Sequence, residues 1–190
     1  MGTPTATAMG TKERIIAAAE DVVLRDGVAH LTLDAAAAAA GLSKGGVLYH
    51  FPTRDALVAA MVDTIIRAFD QDIDDRLAGD DTDGPGRFTR AYIRATMEPS
   101  SARPDREDRL GAALIAAAAA QPELLAPLQV AADRWQARLE DDGIDPTVAT
   151  LVRLACDGLW LSDLFGLAPL PAAHRARVES ELIRAVETGS

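Results

Sequence analysis

Residues Thr32 to Phe51 read T-L-D-A-A-A-A-A-A-G-L-S-K-G-G-V-L-Y-H-F. Read physically, this is a helix, a tight glycine turn and a second helix. Thr32 offers a hydroxyl cap to a short helix through about Ala40, and Asp34 stands in its first turn, where the helix dipole favours a carboxylate. Gly41 breaks that helix. Ser43 caps the next, which runs to about His50 before Pro52 ends it. Ala36, Ala37 and Ala40 are small enough for two helices to cross closely. Leu42, Val47 and Leu48 are expected to seal the underside, and Leu33 and Phe51 to join the core. Helix-turn-helix units use this arrangement to lay the second helix in the DNA major groove.

The second helix opens on Ser43, Lys44, Gly45 and Gly46. Free N–H groups and the positive dipole end favour phosphate there. Each glycine costs helix stability, roughly 1 kcal/mol. Close approach of the backbone to DNA offsets that cost by a definite mechanism; the plainer reading is a glycine pair in a helical hairpin.

Outward from this stretch the pattern stays helical. Lys12 to Asp26 places Ile15, Ile16, Ala19, Val22 and Val23 at helical spacing, with Gly27 as the stop. Thr53 caps a long helix in which Leu57, Met61, Ile65, Phe69, Ile73 and Leu77 recur every four residues. Beyond the acidic turn at 79–86, helices are expected over Arg87–Met97, Asp105–Ala120, Pro122–Asp141, Pro146–Phe165 and Pro171–Glu187. Pro127 marks a kink or a late true start in the third of these. The fold expected is all-α, with about nine helices and no strand. A lead at 1–11 reads as disordered, 12–55 as a helix-turn-helix head, and 56–190 as a larger helical body.

Composition narrows the function. The 190 residues carry 19 Lys+Arg against 29 Asp+Glu, a net charge of -10, with 48% hydrophobic residues. Such a chain folds, and its acidity argues against coating nucleic acid nonspecifically. Residues 1–55 hold five basic and six acidic side chains, and the rest 14 against 23. A head so poor in cations releases few counterions, so a shallow salt dependence is expected. Cys156 and the scattered His30, His50 and His174 offer no metal site, and no cofactor is expected. No Ser/His/Asp or Cys/His arrangement and no phosphate loop is present, so no catalytic residue is assigned. Cys156 lies in an apolar run and reads as an inert core thiol. Without a signal-peptide pattern or a spanning apolar run, the expectation is a soluble cytoplasmic protein with no membrane partner.

Residues Lys12 to about Leu57 resemble the DNA-binding head of the TetR family of bacterial transcriptional regulators. The resemblance is carried by Thr32-Leu33, Ala37, Ala40-Gly41-Leu42-Ser43, Leu48-Tyr49-His50-Phe51 and Arg54-Asp55-Ala56-Leu57. Ala36 departs from it, standing where the family usually has a larger aliphatic residue. The resemblance implies that Ser43 and Lys44 open the recognition helix, with Lys44 on a phosphate or a guanine edge. Gly45 and Gly46 then allow close approach, with any base contact there apolar or water-mediated. Tyr49, His50 and Arg54 would meet the DNA backbone, and the capped helix starts at Thr32 and Thr53 would present N–H groups to phosphate.

For the body the resemblance implies a homodimer on a palindromic operator in double-stranded DNA, and a small-molecule effector. Leu154, Gly158, Leu161, Phe165, Val178 and Leu182 are the candidates for the dimer interface. Phe69, Phe88, Tyr92, Leu114, Trp135 and Trp160 are the candidates for the effector pocket. Walls of Ala and Leu suit an apolar or flat molecule, and the acidic body weakly favours a cation. The leading expectation is a repressor released by its effector. The alternatives are a helical dimeric small-molecule-binding module that no longer reads DNA, and, with little support, a small helical enzyme.

Overall fold

The computed structural model describes residues 10–80, 82–97, 105–118 and 120–189. Among them are nine α-helices and no strand. These are α1 (Thr11–Asp26), α2 (Leu33–Ala40), α3 (Lys44–His50), α4 (Arg54–Ala78), α5 (Arg87–Met97), α6 (Asp105–Ala118), α7 (Ala126–Glu140), α8 (Pro146–Phe165) and α9 (Ala172–Thr188), with short 3-10 turns at Val28–His30 and Pro122–Leu125. The lead at 1–11 falls almost wholly outside the described residues. No described helix is long and apolar enough to cross a membrane.

Two compact units are formed. One takes Met1–Val62 with Ala113–Leu125, the other Asp63–Ala112 with Ala126–Ser190. Helices α4 and α6 therefore each contribute residues to both.

In the first unit α1 buries Ile15, Ala19, Val22 and Val23, and α2 packs against it through Ala36 and Ala37. Ala40 sits at the edge of that crossing and turns its carbonyl to Arg14, whose Nη2 donates to it at 3.1 Å. Gly41 takes the left-handed conformation, φ 66°, which a Cβ would disfavour. That lets the Leu42 N–H reach back to the Ala37 carbonyl at 2.9 Å and turns the chain sharply into α3.

The four-residue spacing in α4 only partly describes its apolar face. Leu57, Met61, Phe69 and Ile73 are buried, but Ile65 and Leu77 are half-buried, and Val58, Val62 and Ile66 are buried beside them. A strict four-residue step drifts by about 40° per repeat on a 3.6-residue helix, so neighbouring positions take over the inward face. The expected helix over Pro122–Asp141 is likewise corrected. Pro122–Leu125 is a 3-10 turn and α7 begins at Ala126. Pro127 thus lies in a first turn, where its missing N–H costs nothing.

In the second unit the turn at 79–86 is held by a buried ion pair rather than left as a solvated acidic loop. The Asp80 carboxylate accepts from the Thr82 N–H at 2.9 Å and lies 3.4 Å from Arg90 Nε and 3.5 Å from Arg94 Nη1. Arg90 also donates to the carbonyls of Pro85 and Thr82. At Gly86, φ 77°, a Cβ would stand 2.3 Å from Val186 Cγ1, so only glycine fits where this turn enters α5.

Candidate nucleic-acid interface

The turn after Gly41 delivers α3 with its start capped. Ser43 Oγ accepts from the Gly46 N–H at 3.1 Å, Thr32 Oγ1 from the Ala35 N–H at 3.0 Å, and Thr53 Oγ1 from the Ala56 N–H at 3.0 Å. Helices α2, α3 and α4 thus all begin on a hydroxyl. In α3, Val47 is fully buried and Phe51, just past its end, is buried. Lys44, Gly45, Leu48 and Tyr49 are exposed, Tyr49 at 86%.

Leu48 corrects the expected core. It is 41% exposed, and Val47 takes the inward position beside Leu42, which is half-buried. The turn after Gly41 presents Val47 to the core and leaves Leu48, about 100° further round the helix, on the outside. Leu33, expected in the core, is half-buried. Tyr49 is 86% exposed, and its ring meets that of His50 edge to face, centroids 5.1 Å apart.

The glycines of α3 are not required by the fold. A Cβ on Gly45 would meet only Ser43 Oγ at 4.0 Å, and one on Gly46 the same atom at 3.4 Å. Nothing among the described residues demands their loss of helix propensity, which leaves an outside surface as the reason for it.

Every cation of the first 55 residues has a partner. Lys44 Nζ lies 2.9 Å from the Asp34 carboxylate. Arg25 pairs with Asp26, Arg14 holds the Ala40 carbonyl, and Lys12 lies 5.9 Å from the centroid of the Phe51 ring. Arg54, expected at a phosphate, turns inward. Its Nε donates to the Leu31 carbonyl at 3.0 Å and its Nη2 to the Val28 carbonyl at 2.9 Å, while Nη1 reaches Gln121 Oε1 at 3.3 Å. The guanidinium fastens the segment before α2 to the start of α4.

Five of the six expected pocket residues lie in the second unit, and four of them meet there. Phe69, Tyr92 and Trp135 meet edge to face, with centroids 5.1–6.3 Å apart, and Phe88 lies 6.4 Å from Tyr92. Leu114 is buried but belongs to the first unit. Trp160 is half-buried on α8, beside Gly111 of α6.

Two carboxylates border the aromatic cluster, and sequence reading missed both. Asp70 accepts from Trp135 Nε1 at 2.7 Å and pairs with Arg134. Asp157 accepts from the Tyr92 hydroxyl at 3.3 Å and from Arg153 Nη1 at 2.6 Å. Partial burial lifts the Asp157 carboxyl above its ordinary value, against the pull of Arg153 and the Tyr92 hydroxyl. For Asp157 the signal was an acidic residue beside Cys156, inside an apolar helix. Burial also pushes the Cys156 thiol up to about 12, which suits a packing role. Among the described residues no group of His, Cys, Asp or Glu is placed to hold a metal.

On α8, Leu151, Leu154, Leu161 and Phe165 are exposed apolar side chains, and nothing stands within 4 Å of a Cβ built on Gly158. Val178 and Leu182 of α9 are half-buried.

Residues 15–61 match the family described as bacterial regulatory proteins, tetR family, and residues 86–187 match the one described as tetracyclin repressor-like, C-terminal domain. A solved transcriptional regulator from Rhodococcus sp. Rha1 is 25% identical over 95% of this chain and 97% of its own, with a TM-score of 0.73. A TetR-family member from Streptomyces coelicolor A3 is 26% identical over 90% of this chain and 97% of its own, with a TM-score of 0.71. The multidrug binding protein EbrR, solved in complex with ethidium, is 26% identical over 91% of this chain and 98% of its own, with a TM-score of 0.65. It has also been solved with malachite green. No curated protein matches the sequence significantly.

Proposed function

Because the chain belongs to the TetR family of bacterial regulatory proteins, and so is a DNA-binding regulator rather than an enzyme, we propose that it is a repressor that a small molecule releases from a palindromic operator. The observation that carries this reading is α3. Its outer face of Lys44, Gly45, Leu48 and Tyr49 is left exposed, while among the described residues nothing crowds the place of a Cβ at its glycines. A head of this kind reads double-stranded DNA as a two-fold dimer, with half-sites about 34 Å apart or a multiple of that.

The dimer is assigned to α8 and α9. Leu151, Leu154, Gly158, Leu161 and Phe165 follow a three-four spacing along one face of α8, the stripe by which two helices pack. Gly158 permits close approach there. Leu154→Glu is expected to yield monomers by sedimentation and to abolish operator binding.

The effector is assigned to the cluster of Phe69, Phe88, Tyr92 and Trp135. Aromatic side chains with nearby carboxylates suit an aromatic cation, and the likeness to the multidrug binding protein EbrR, solved with ethidium and with malachite green, supports a small-molecule site. Release follows if the effector binds the DNA-incompetent arrangement better than the DNA-fitting one; without such a difference it changes nothing.

Selection of random duplex DNA against the purified protein at moderate salt tests the reading, with Lys44→Ala and Tyr49→Ala run alongside. A palindrome recovered by the parent chain and weakened in both variants supports it. No enrichment even at low salt overturns it in favour of a dimeric small-molecule binder that does not read DNA.

A further inference from the structure

We infer that Leu48 reads the C5-methyl group of a thymine in each half-site, so that the centre of the recognition helix selects its operator by an apolar contact. The inference rests on the DNA-binding reading above and adds to it the residue and the base.

The exposed positions of α3 define a face. At 3.6 residues per turn, Lys44, Leu48, Gly45 and Tyr49 fall in that angular order across about 140° of the helix. The two polar side chains stand at the edges and Leu48 and Gly45 at the middle. Ser43, which precedes them, has its hydroxyl committed to the Gly46 N–H at 3.1 Å. The middle of the face therefore holds no side chain that donates or accepts a hydrogen bond.

An exposed leucine is ordinary on a protein surface. This one is not placed at random. Val47 already supplies the inward contact of this turn, fully buried. Leu48 stands between a lysine and a glycine on the surface that enters the groove, and the missing Cβ at Gly45 lets that surface approach closely. In the major groove every base edge presents donors or acceptors, and the one apolar feature is the thymine methyl. An isobutyl group at the centre of the face gains on that group and on no other.

The test uses the full-length protein and the duplex recovered by selection. Each half-site thymine is replaced in turn by deoxyuridine, which keeps the base pair and removes only the methyl group. The parent chain is expected to lose about fourfold in affinity per half-site at one such position, the transfer equivalent of one methyl group. Leu48→Ala is expected to bind the thymine and deoxyuridine duplexes equally at that position. Leu48 is substantially exposed, so its truncation leaves the buried side chains in place; the deoxyuridine scan of the parent chain stands without any variant. A recovered palindrome whose thymines all tolerate deoxyuridine overturns the inference and leaves DNA binding intact. So does a Leu48→Ala protein that keeps the full penalty. Recovery of no palindrome overturns the DNA-binding reading and this inference together.

Discussion

The Arg54 guanidinium donates to the Leu31 carbonyl at 3.0 Å, a bond that joins the first turn of α4 to the residue before the Thr32 cap. With its second bond to the Val28 carbonyl, it satisfies two backbone acceptors by a fork that lysine cannot reproduce. Arg54→Ala is expected to destabilise the protein by about 2 kcal/mol, the range for hydrogen bonds to a charged group, in chemical denaturation. Arg54→Lys should not restore it. Were Arg54 a phosphate contact instead, its removal would lower the salt slope of operator binding by about one and leave stability unchanged.

Gly45 should separate folding from recognition. Gly45→Ala adds a methyl group into open space on α3, where the only neighbour is Ser43 Oγ at 4.0 Å. Thermal unfolding should show a gain of up to about 1 kcal/mol from helix propensity, while operator affinity falls. A variant that gains stability and keeps full affinity would show that the backbone does not approach DNA there.

Asp34 is expected to compete with DNA for Lys44. The pair is exposed on both sides, 2.9 Å apart, and worth at most about 1 kcal/mol. Asp34→Asn frees the ammonium and removes a negative charge beside the recognition helix. Operator binding at low salt should tighten several-fold, and the gain should fade as salt screens it. Stability should drop slightly, because the carboxylate in the first turn of α2 is lost. Unchanged affinity at every salt concentration would place Lys44 away from the DNA.

Asp80 should set the acid limit of the second unit. Burial pushes its carboxyl up, but the Thr82 backbone and hydroxyl together with Arg90 and Arg94 outweigh that and hold it below the ordinary carboxylate range. A carboxyl lowered on folding stabilises above its unfolded value of about 4 and loses that contribution as pH falls through the lower folded value. Asp80→Ala strands the buried Arg90 and is expected to cost about 3 kcal/mol at neutral pH. Asp80→Asn should flatten the fall in stability below about pH 4. Parallel acid unfolding curves for the parent chain and Asp80→Asn would rule the pair out as the cause.

Much of the fold is legible locally because its signals are local. A hydroxyl three residues before an orphan N–H makes a cap wherever the chain goes, so Thr32, Ser43 and Thr53 could be placed from neighbours alone. Long-range polar pairing is different. Asp142 accepts from the N–H groups of Phe88 and Thr89 and from the Thr89 hydroxyl, capping α5 from 53 residues away. Nothing near either residue announces that.

From sequence alone come the all-helical class, the helix-turn-helix and its glycine turn, and the family, since periodicity, caps and spaced motif positions are properties of short stretches. Tertiary structure alone decides that Ala113–Leu125 joins the first unit, that Val47 and not Leu48 turns inward, and that Arg54 serves two carbonyls rather than standing free. On a helix of two turns, adjacent aliphatic residues satisfy the same pattern, and an arginine at a helix start suits a phosphate as well as a carbonyl. Which one it meets depends on what the folded chain brings within 3 Å, and that is set by packing among distant segments.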